Sequence, residues 1–440
     1  MEYGKLPISL ASYFLLVAAL LVANNYAEAF AEASIEGSST VHRRQRIGVK
    51  VKGIGGSRKT SKFGAQCGQG WREQYARHHS AILQSEPSRQ RFAVVELHRN
   101  GLGDRLTSAV AVFYYALLSG RAYRIDWRGV AGVPLTAALD KPNIDWEVGP
   151  GDAPPGAEGT KRVDWFLTHG LHPPDSPPFQ FFGGEDIRLQ WRDMRTVVMS
   201  PNTGVVDKLF YNRFHRQQLF AWGLRPETAV GCALDFLFQP RAEVLDLVRD
   251  NFMALSEPQA LKIGIHVRMG DAWLKNKEYG DCNREIDYED LGRWFRCASK
   301  VEEEYRVEKI SVHWYVVSDC FTLRHKAAKM FGQKVLLPNQ ETVTEHMDYR
   351  SGNSTRDLIA FRTTVAEQWL LGMTDFQIIT EESSYGRLAA LRSLRFRSVY
   401  TMRSAEAVAE RRRNVSTWEC TRENYDDFQE VAVNQPWVKI

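Results

Sequence analysis

Leu261-Lys-Ile-Gly-Ile-His-Val-Arg-Met-Gly-Asp271 decides how the rest of the chain is read. Residues 263–267 are a short, mostly apolar and β-branched run, and Gly270-Asp271 follows soon after. Such a run suits a strand buried on both faces of a parallel sheet and closed by a turn. His266, Arg268 and Asp271 gather at its carboxyl end. In open α/β sheets the ligand crevice lies outside those ends. An arginine there suits a phosphate-bearing ligand, because its planar fork donates two parallel hydrogen bonds and never deprotonates. The alternative is a structural Arg–Asp pair that closes the turn.

Outward toward the C-terminus, strand and helix signals alternate. Residues 288–300 read as a helix, and Ile310-Ser-Val-His-Trp-Tyr-Val-Val317 as a strand with Ser318 and Asp319 at its carboxyl end. A helix over 321–331, a short strand at 334–337 and a long helix over 355–371 follow, with Thr355 as N-cap and Gly372 as stop. A strand at 375–380 then runs through Glu381-Glu-Ser-Ser-Tyr-Gly386 into a helix ending near residue 393. The alternation predicts a doubly wound α/β domain over 256–440. Three strand ends converge on one edge, carrying His266, Arg268 and Asp271, then Ser318 and Asp319, then Ser383, Ser384 and Tyr385. The last group opens a helix, where free N–H groups and hydroxyls favour phosphate oxygens. Any one of these serines alone reads as a cap. Together with an arginine, and with acids for ribose or base, they point to a nucleotide diphosphate.

A second α/β domain is expected over 91–255. Phe92-Ala-Val-Val-Glu-Leu-His98 reads as a strand, Arg99-Asn-Gly-Leu-Gly-Asp104 as a glycine loop, residues 106–119 as a buried helix stopped by Gly120, and Tyr123-Arg-Ile-Asp-Trp127 as the next strand. This is a right-handed βαβ unit with parallel strands. Gly101-x-Gly103, with Asp126 placed for a ribose, invites a dinucleotide reading. The third position of that fingerprint needs Gly or Ala and is Leu106 here, which argues against it. What remains is a tight turn that lets N–H groups at a helix start approach an anion or sugar hydroxyls, so Gly101, Gly103 and Asp104 are candidate ligand contacts. Residues 129–190 read as long loops, Trp127, Trp146, Trp165 and Trp191 in and beside them pack or stack on sugar faces, and 207–223 and 242–253 read as helices.

Composition narrows the classes. The net charge is +4, and eight Lys or Arg residues with no acid fall between Arg43 and Lys62. The body is therefore near neutral, which argues against a nucleic-acid-binding domain. Six cysteines are spread widely without a C-x-x-C, so a zinc or redox motif is not indicated, and their even number permits three disulfides in an exported chain. Residues 6–23 are an uncharged, mostly apolar run of 18 residues, about 27 Å as a helix. Ala27-Glu-Ala29 and Ala31-Glu-Ala33 suit signal-peptidase cleavage. Residues 1–30 are therefore expected to be a signal-anchor or signal peptide, and 31–90 a stem or linker, with 34–66 too polar to bury. Either places the remainder in the secretory lumen, where disulfides form and where Asn353-Ser-Thr355 and Asn414-Val-Ser416 would be glycan acceptor patterns.

In this order and spacing the motifs resemble the fucosyltransferase superfamily that includes the α1,2-, α1,6- and protein O-fucosyltransferases. Its His-x-Arg-x-x-Asp motif matches His266-Val-Arg268-Met-Gly-Asp271, its hydroxyl-rich turn into a helix matches Ser383-Ser-Tyr-Gly386, and its N-terminal glycine turn matches Gly101-Leu-Gly-Asp104. The stretch through Ile125-Asp-Trp-Arg-Gly129 is similar to the bacterial nodulation fucosyltransferase. The resemblance covers residues 92–127 and 261–395. It implies α/β architecture of GT-B type, with two facing Rossmann-like domains, the first on the acceptor side and the second holding the donor. It further implies GDP-fucose as donor, a glycan or glycoprotein acceptor, inversion at the anomeric carbon, no cofactor and no metal; the chain has no Asp-x-Asp. Two positions depart from the pattern. Several branches carry a second arginine where Met269 stands, and the α1,6 branch has a glutamate where Asn276 stands. The resemblance assigns Arg268 to the donor β-phosphate and His266, Asp319 and Glu367 to ribose and guanine; for the base, a carboxylate within hydrogen-bond reach of the acceptor hydroxyl would serve, with Asp271 first and Glu278 second. A single-pass type II Golgi membrane protein is the expected setting, or a secreted or ER-lumen enzyme after cleavage. The alternatives are a transferase for another GDP-sugar and a degenerate member that binds a glycan or partner.

Overall fold

The computed structural model describes residues 66–97, 101–127, 133–148, 158–165, 176–201, 205–268, 288–308, 310–337, 353–381, 383–395, 398–402 and 420. The expected anchor over 1–30, and the candidate bases Asp271 and Glu278, lie outside these residues, as do Met269 and Asn276. No helix among the described residues is long and apolar enough to cross a membrane.

The first lobe is built on four parallel strands, β1 (Phe92–Glu96), β2 (Ala122–Asp126), β4 (Thr160–Asp164) and β5 (Thr196–Ser200). Their order in the sheet is β2-β1-β5-β4. Beside it, Leu139–Asp140 (β3) pairs antiparallel with Gln239–Pro240 (β6). Helix α1 (Trp71–Gln84) precedes the sheet, and α2 (Leu102–Ser119) crosses from β1 to β2. Helix α2 is buried nearly all round and ends at Gly120, whose left-handed φ of 66° terminates it as expected. Its start lies earlier than the apolar run suggests. Gly101 is the N-cap and Gly103 sits in the first turn, so the glycine loop is largely helix.

Helix α1 occupies part of the stretch expected to be linker. Trp71, Tyr75 and His79, spaced one turn apart, form its buried face. Trp71 and Tyr75 pack on Phe113 and Phe236. The Tyr75 hydroxyl donates to the Arg121 carbonyl (2.9 Å), and His79 Nε2 meets the Tyr123 carbonyl (3.0 Å). A Cys67–Cys232 disulfide ties the approach to α1 to α3 (Pro226–Leu237). The lobe therefore begins near residue 67 rather than 91.

The second lobe carries five parallel strands, β7 (Ala260–Val267), β8 (Ser311–Ser318), β9 (Val335–Leu336), β10 (Phe376–Thr380) and β11 (Val399–Met402). Their order is β11-β10-β7-β8-β9. Helices α4 (Tyr288–Tyr305), α5 (Phe321–Phe331), α6 (Ser354–Leu371) and α7 (Ser384–Ser393) complete it. Strands β8 and β9 extend the sheet from β7 on one side, and β10 and β11 add on the other. The chain therefore reverses between β7 and β10, the switch point at which open α/β sheets bind ligands.

Period-two alternation splits β7 between two cores. Leu261, Ile263, Ile265 and Val267 join the cluster under α4 and α5. Gly264 and His266 face α6 and α7, and a Cβ on Gly264 would sit 2.6 Å from the Thr374 hydroxyl. The cluster on that side runs from α1 and α2 through Phe361 and Val365 of α6 to Leu388 and Leu391 of α7, so one apolar core serves both lobes. The long helix α6 is capped by the Asn353 side chain, which accepts from the N–H groups of Thr355 and Arg356, and not by Thr355. Helix α4 is joined to the C-terminal region by a Cys297–Cys420 disulfide.

Candidate active site at the sheet switch point

Strands β7 and β10 pair in register as far as Ile379 opposite His266, where the ladder ends. Three of the expected site groups meet at that end. Arg268 leaves β7 with its Nη1 donating to Asp319 Oδ2 at 2.8 Å. Its side chain remains 24% exposed while Asp319 is 5% exposed, so the carboxylate is the anchor and the guanidinium the accessible partner. An Arg–Asp pair therefore forms between Arg268 and Asp319, at the end of the neighbouring strand β8; the Asp271 of the expected turn lies outside the described residues. Asp319 holds the arginine at the end of β8.

His266 lies under the start of α7. Its ring stacks on Tyr385, with centroids 5.6 Å apart and planes at 26°. Gly386 is what allows this, since a Cβ there would fall 2.6 Å from His266 Nδ1. Burial, and then the charge of Arg268, push the imidazole down to about 3, so it is neutral at physiological pH. Nδ1 has no hydrogen-bond partner among the described residues. The Tyr385 hydroxyl points inward and donates to the Thr364 carbonyl at 2.6 Å, so this residue offers its ring and not its hydroxyl. Burial and the nearby Glu367 carboxylate raise that hydroxyl well above its ordinary range.

Ser383 is the N-cap of α7 and is buried without capping through its side chain. Ser384, in the first turn, donates to Asp104 Oδ1 of the first lobe at 2.6 Å. The first turns of α2 and α7 thus abut. A Cβ on Gly103 would lie 2.5 Å from both the Ser384 hydroxyl and the Tyr385 backbone nitrogen, so glycine is required by close approach. Gly103 and Asp104 are therefore contacts between the lobes, and Gly101 caps the helix that carries them. Asp104 supplies a carboxylate to two helix N-termini at once, which suits their dipoles.

Glu367 and Ser318 are turned to internal work. Glu367 is 1% exposed and ion-paired with Arg324 of α5. The Ser318 hydroxyl accepts from the Cys320 N–H (3.0 Å) at the turn into α5. Thr380 is the residue that sequence reading missed. It is fully buried at the end of β10, and its hydroxyl accepts from the Arg268 N–H (2.9 Å) and meets the His266 carbonyl (3.1 Å). The available signal was its position as the last residue of a predicted strand beside the hydroxyl-rich turn. Among the described residues no group of three or more His, Cys, Asp or Glu is placed to hold a metal ion.

A known structure carries the same fold. Arabidopsis thaliana FUT1, solved as a point mutant in complex with GDP, superposes with a TM-score of 0.52 at 16% identity, covering 78% of this chain and 77% of that one. The chain shares the fold of that protein. The NodZ α-1,6-fucosyltransferase of Bradyrhizobium is a more distant match, with a TM-score of 0.42 at 15% identity over 72% of this chain and 96% of that one. No family model matches the chain, and no curated protein matches it in sequence. The arginine, the histidine and the hydroxyl-rich helix start stand together at the switch point of the second sheet.

Proposed function

We propose that the protein is a glycosyltransferase that moves fucose from GDP-fucose to a hydroxyl of a glycan or glycoprotein, with inversion and without a metal ion. One observation carries the reading: a guanidinium anchored by Asp319 stands at the switch point, beside the N-terminus of α7, in a fold shared with a GDP-bound FUT1. As the glycosidic bond breaks, charge grows on the β-phosphate of the leaving GDP. The Arg268 guanidinium and the first N–H groups of α7 would stabilise it without reorganising. Neutral His266 would contribute hydrogen bonding and shape but no charge. The acceptor hydroxyl must lose a proton as it attacks, and Asp271, then Glu278, are the carboxylates proposed to take it.

The setting proposed is the Golgi lumen, with residues 6–23 as a single-pass type II anchor. The Cys67–Cys232 and Cys297–Cys420 disulfides support an oxidising compartment. The test is GDP release from a panel of GDP-sugars over glycan and glycopeptide acceptors, with and without chelator. Release from GDP-fucose that survives chelator supports the proposal. Release from a different GDP-sugar moves the donor assignment, a requirement for added magnesium or manganese removes the metal-free mechanism, and nucleotide binding without turnover on any acceptor leaves a binding protein.

A further inference from the structure

We infer that Thr380 is the positioning residue that sets Arg268 and the start of α7 relative to each other, an inference that rests on the GDP-sugar reading above. Strands β7 and β10 stop pairing at His266 and Ile379, so the ladder between these two strands does not hold the backbone that follows. Thr380 takes over at that point. Its hydroxyl accepts from the Arg268 N–H (2.9 Å) and donates to the His266 carbonyl (3.1 Å), spanning both sides of the switch point. Its carbonyl accepts from the Ser383 N–H (3.2 Å). One residue is therefore bonded to the arginine, to the histidine and to the N-cap of α7.

Two neighbouring contacts stiffen the same turn. The Glu381 N–H donates to the Met402 carbonyl (2.7 Å), and Arg387 Nε donates to the Glu381 carbonyl. The hydroxyl is fully buried and both of its partners are backbone groups, so water does not substitute when it is removed. The guanidinium is set from two directions: Asp319 fixes its Nη1 end, and Thr380 fixes the backbone from which it springs. A misplacement of a fraction of an ångström at a phosphate-binding cation lowers transition-state stabilisation more than ground-state binding.

The experiment compares Thr380→Val, Thr380→Ser and Arg268→Ala, singly and as Thr380→Val/Arg268→Ala, by GDP binding and GDP-sugar turnover with melting as control. Valine keeps the shape and suits a strand, so the fold is retained while the hydroxyl is lost. Thr380→Val is expected to lower kcat about tenfold with a smaller change in KM, and Thr380→Ser to restore most of it. In the Arg268→Ala background Thr380→Val should cost little more, because the group it positions is already absent. Thr380→Val with wild-type kcat, or a full additional loss on top of Arg268→Ala, overturns the inference. A wild-type protein that neither binds GDP nor releases it from any GDP-sugar fails the functional reading instead, so the two failures are distinct.

Discussion

Arg268 combines a buried anchor with a partly exposed fork, and that combination makes its replacement informative. In the proposed reaction Arg268→Ala removes a charge-assisted donor that strengthens as GDP leaves, and it takes a counter-charge away from the buried Asp319 carboxylate. Turnover should fall by about a hundred- to a thousandfold. Arg268→Lys should recover little, since a point charge cannot serve Asp319 and a phosphate in two directions at once. A folded Arg268→Ala protein with near-normal GDP release would place the phosphate elsewhere. His266 gives a second prediction at the same scale. Burial lowers it from 6.5 to about 3, and burial likewise lowers His79 to about 4. Between these values and 6.5 the unfolded chain binds protons that the native protein refuses. Stability contributed by the neutral rings is therefore complete above pH 6.5 and is lost as pH falls toward 3 or 4. At about pH 5 each ring should account for roughly 2 kcal/mol of lost stability. Denaturant melts across this range should show a shallower acid limb for His266→Gln; an unchanged limb would mean the ring is not buried neutral.

At the scale of elements, the contact between the first turns of α2 and α7 is the tightest joint near the site. Gly103→Ala would drive a methyl into the Ser384 hydroxyl and the Tyr385 backbone. Overpacking of this kind costs about 1–3 kcal/mol, and here it would also tilt the N-terminus proposed to face the donor. A lower melting temperature together with weaker GDP affinity is expected; an unperturbed melt would show that the two helices have room to separate. The elements themselves were legible in the sequence where period and punctuation agreed. The β7, β8 and β10 runs and the α5 and α6 patterns match the structure to within a few residues, and so does the glycine stop of α2. Reading failed where tertiary partners decide. The pattern over 207–223 predicts one helix, but Asn212 interrupts it, its amide donating to the Phe182 and Glu185 carbonyls and its oxygen accepting from the Phe214 N–H. Thr196-Val-Val-Met-Ser200 carries a plain strand signal that the loop-like composition before it obscured. Within the site, the order of His266, Arg268 and Ser383 was visible in the motif. The Arg268–Asp319 pair and the burial of Glu367 against Arg324 join residues dozens of positions apart, which no local spacing reveals.

For the whole molecule, the shared core has a thermodynamic consequence. Two doubly wound sheets would ordinarily count as two folding units, each with its own core. Here α7 belongs to the second lobe by connectivity yet packs on α2 and α3 of the first, so closely that a Cβ on Gly231 would fall 2.6 Å from the Leu391 carbonyl oxygen. Helix α6 reaches across as well, with Arg362 Nε donating to the Ala137 carbonyl (2.9 Å) and Phe361 meeting Trp127 at 6.1 Å. Neither lobe can lose its structure and leave the other's apolar surface covered. The lobes should therefore melt in one transition, with calorimetric and van't Hoff enthalpies in agreement. The Cys67–Cys232 disulfide closes a span of 165 residues that includes the whole first sheet. Its loss in a Cys67→Ser/Cys232→Ser variant should destabilise that single transition by about 2–5 kcal/mol, chiefly by freeing the unfolded chain. Because the transition is shared, the whole peak should move to lower temperature. A variant in which the first lobe melts early while a separate peak stays at the original temperature would show that the lobes are independent, and that the core continuous through α7 does not couple them.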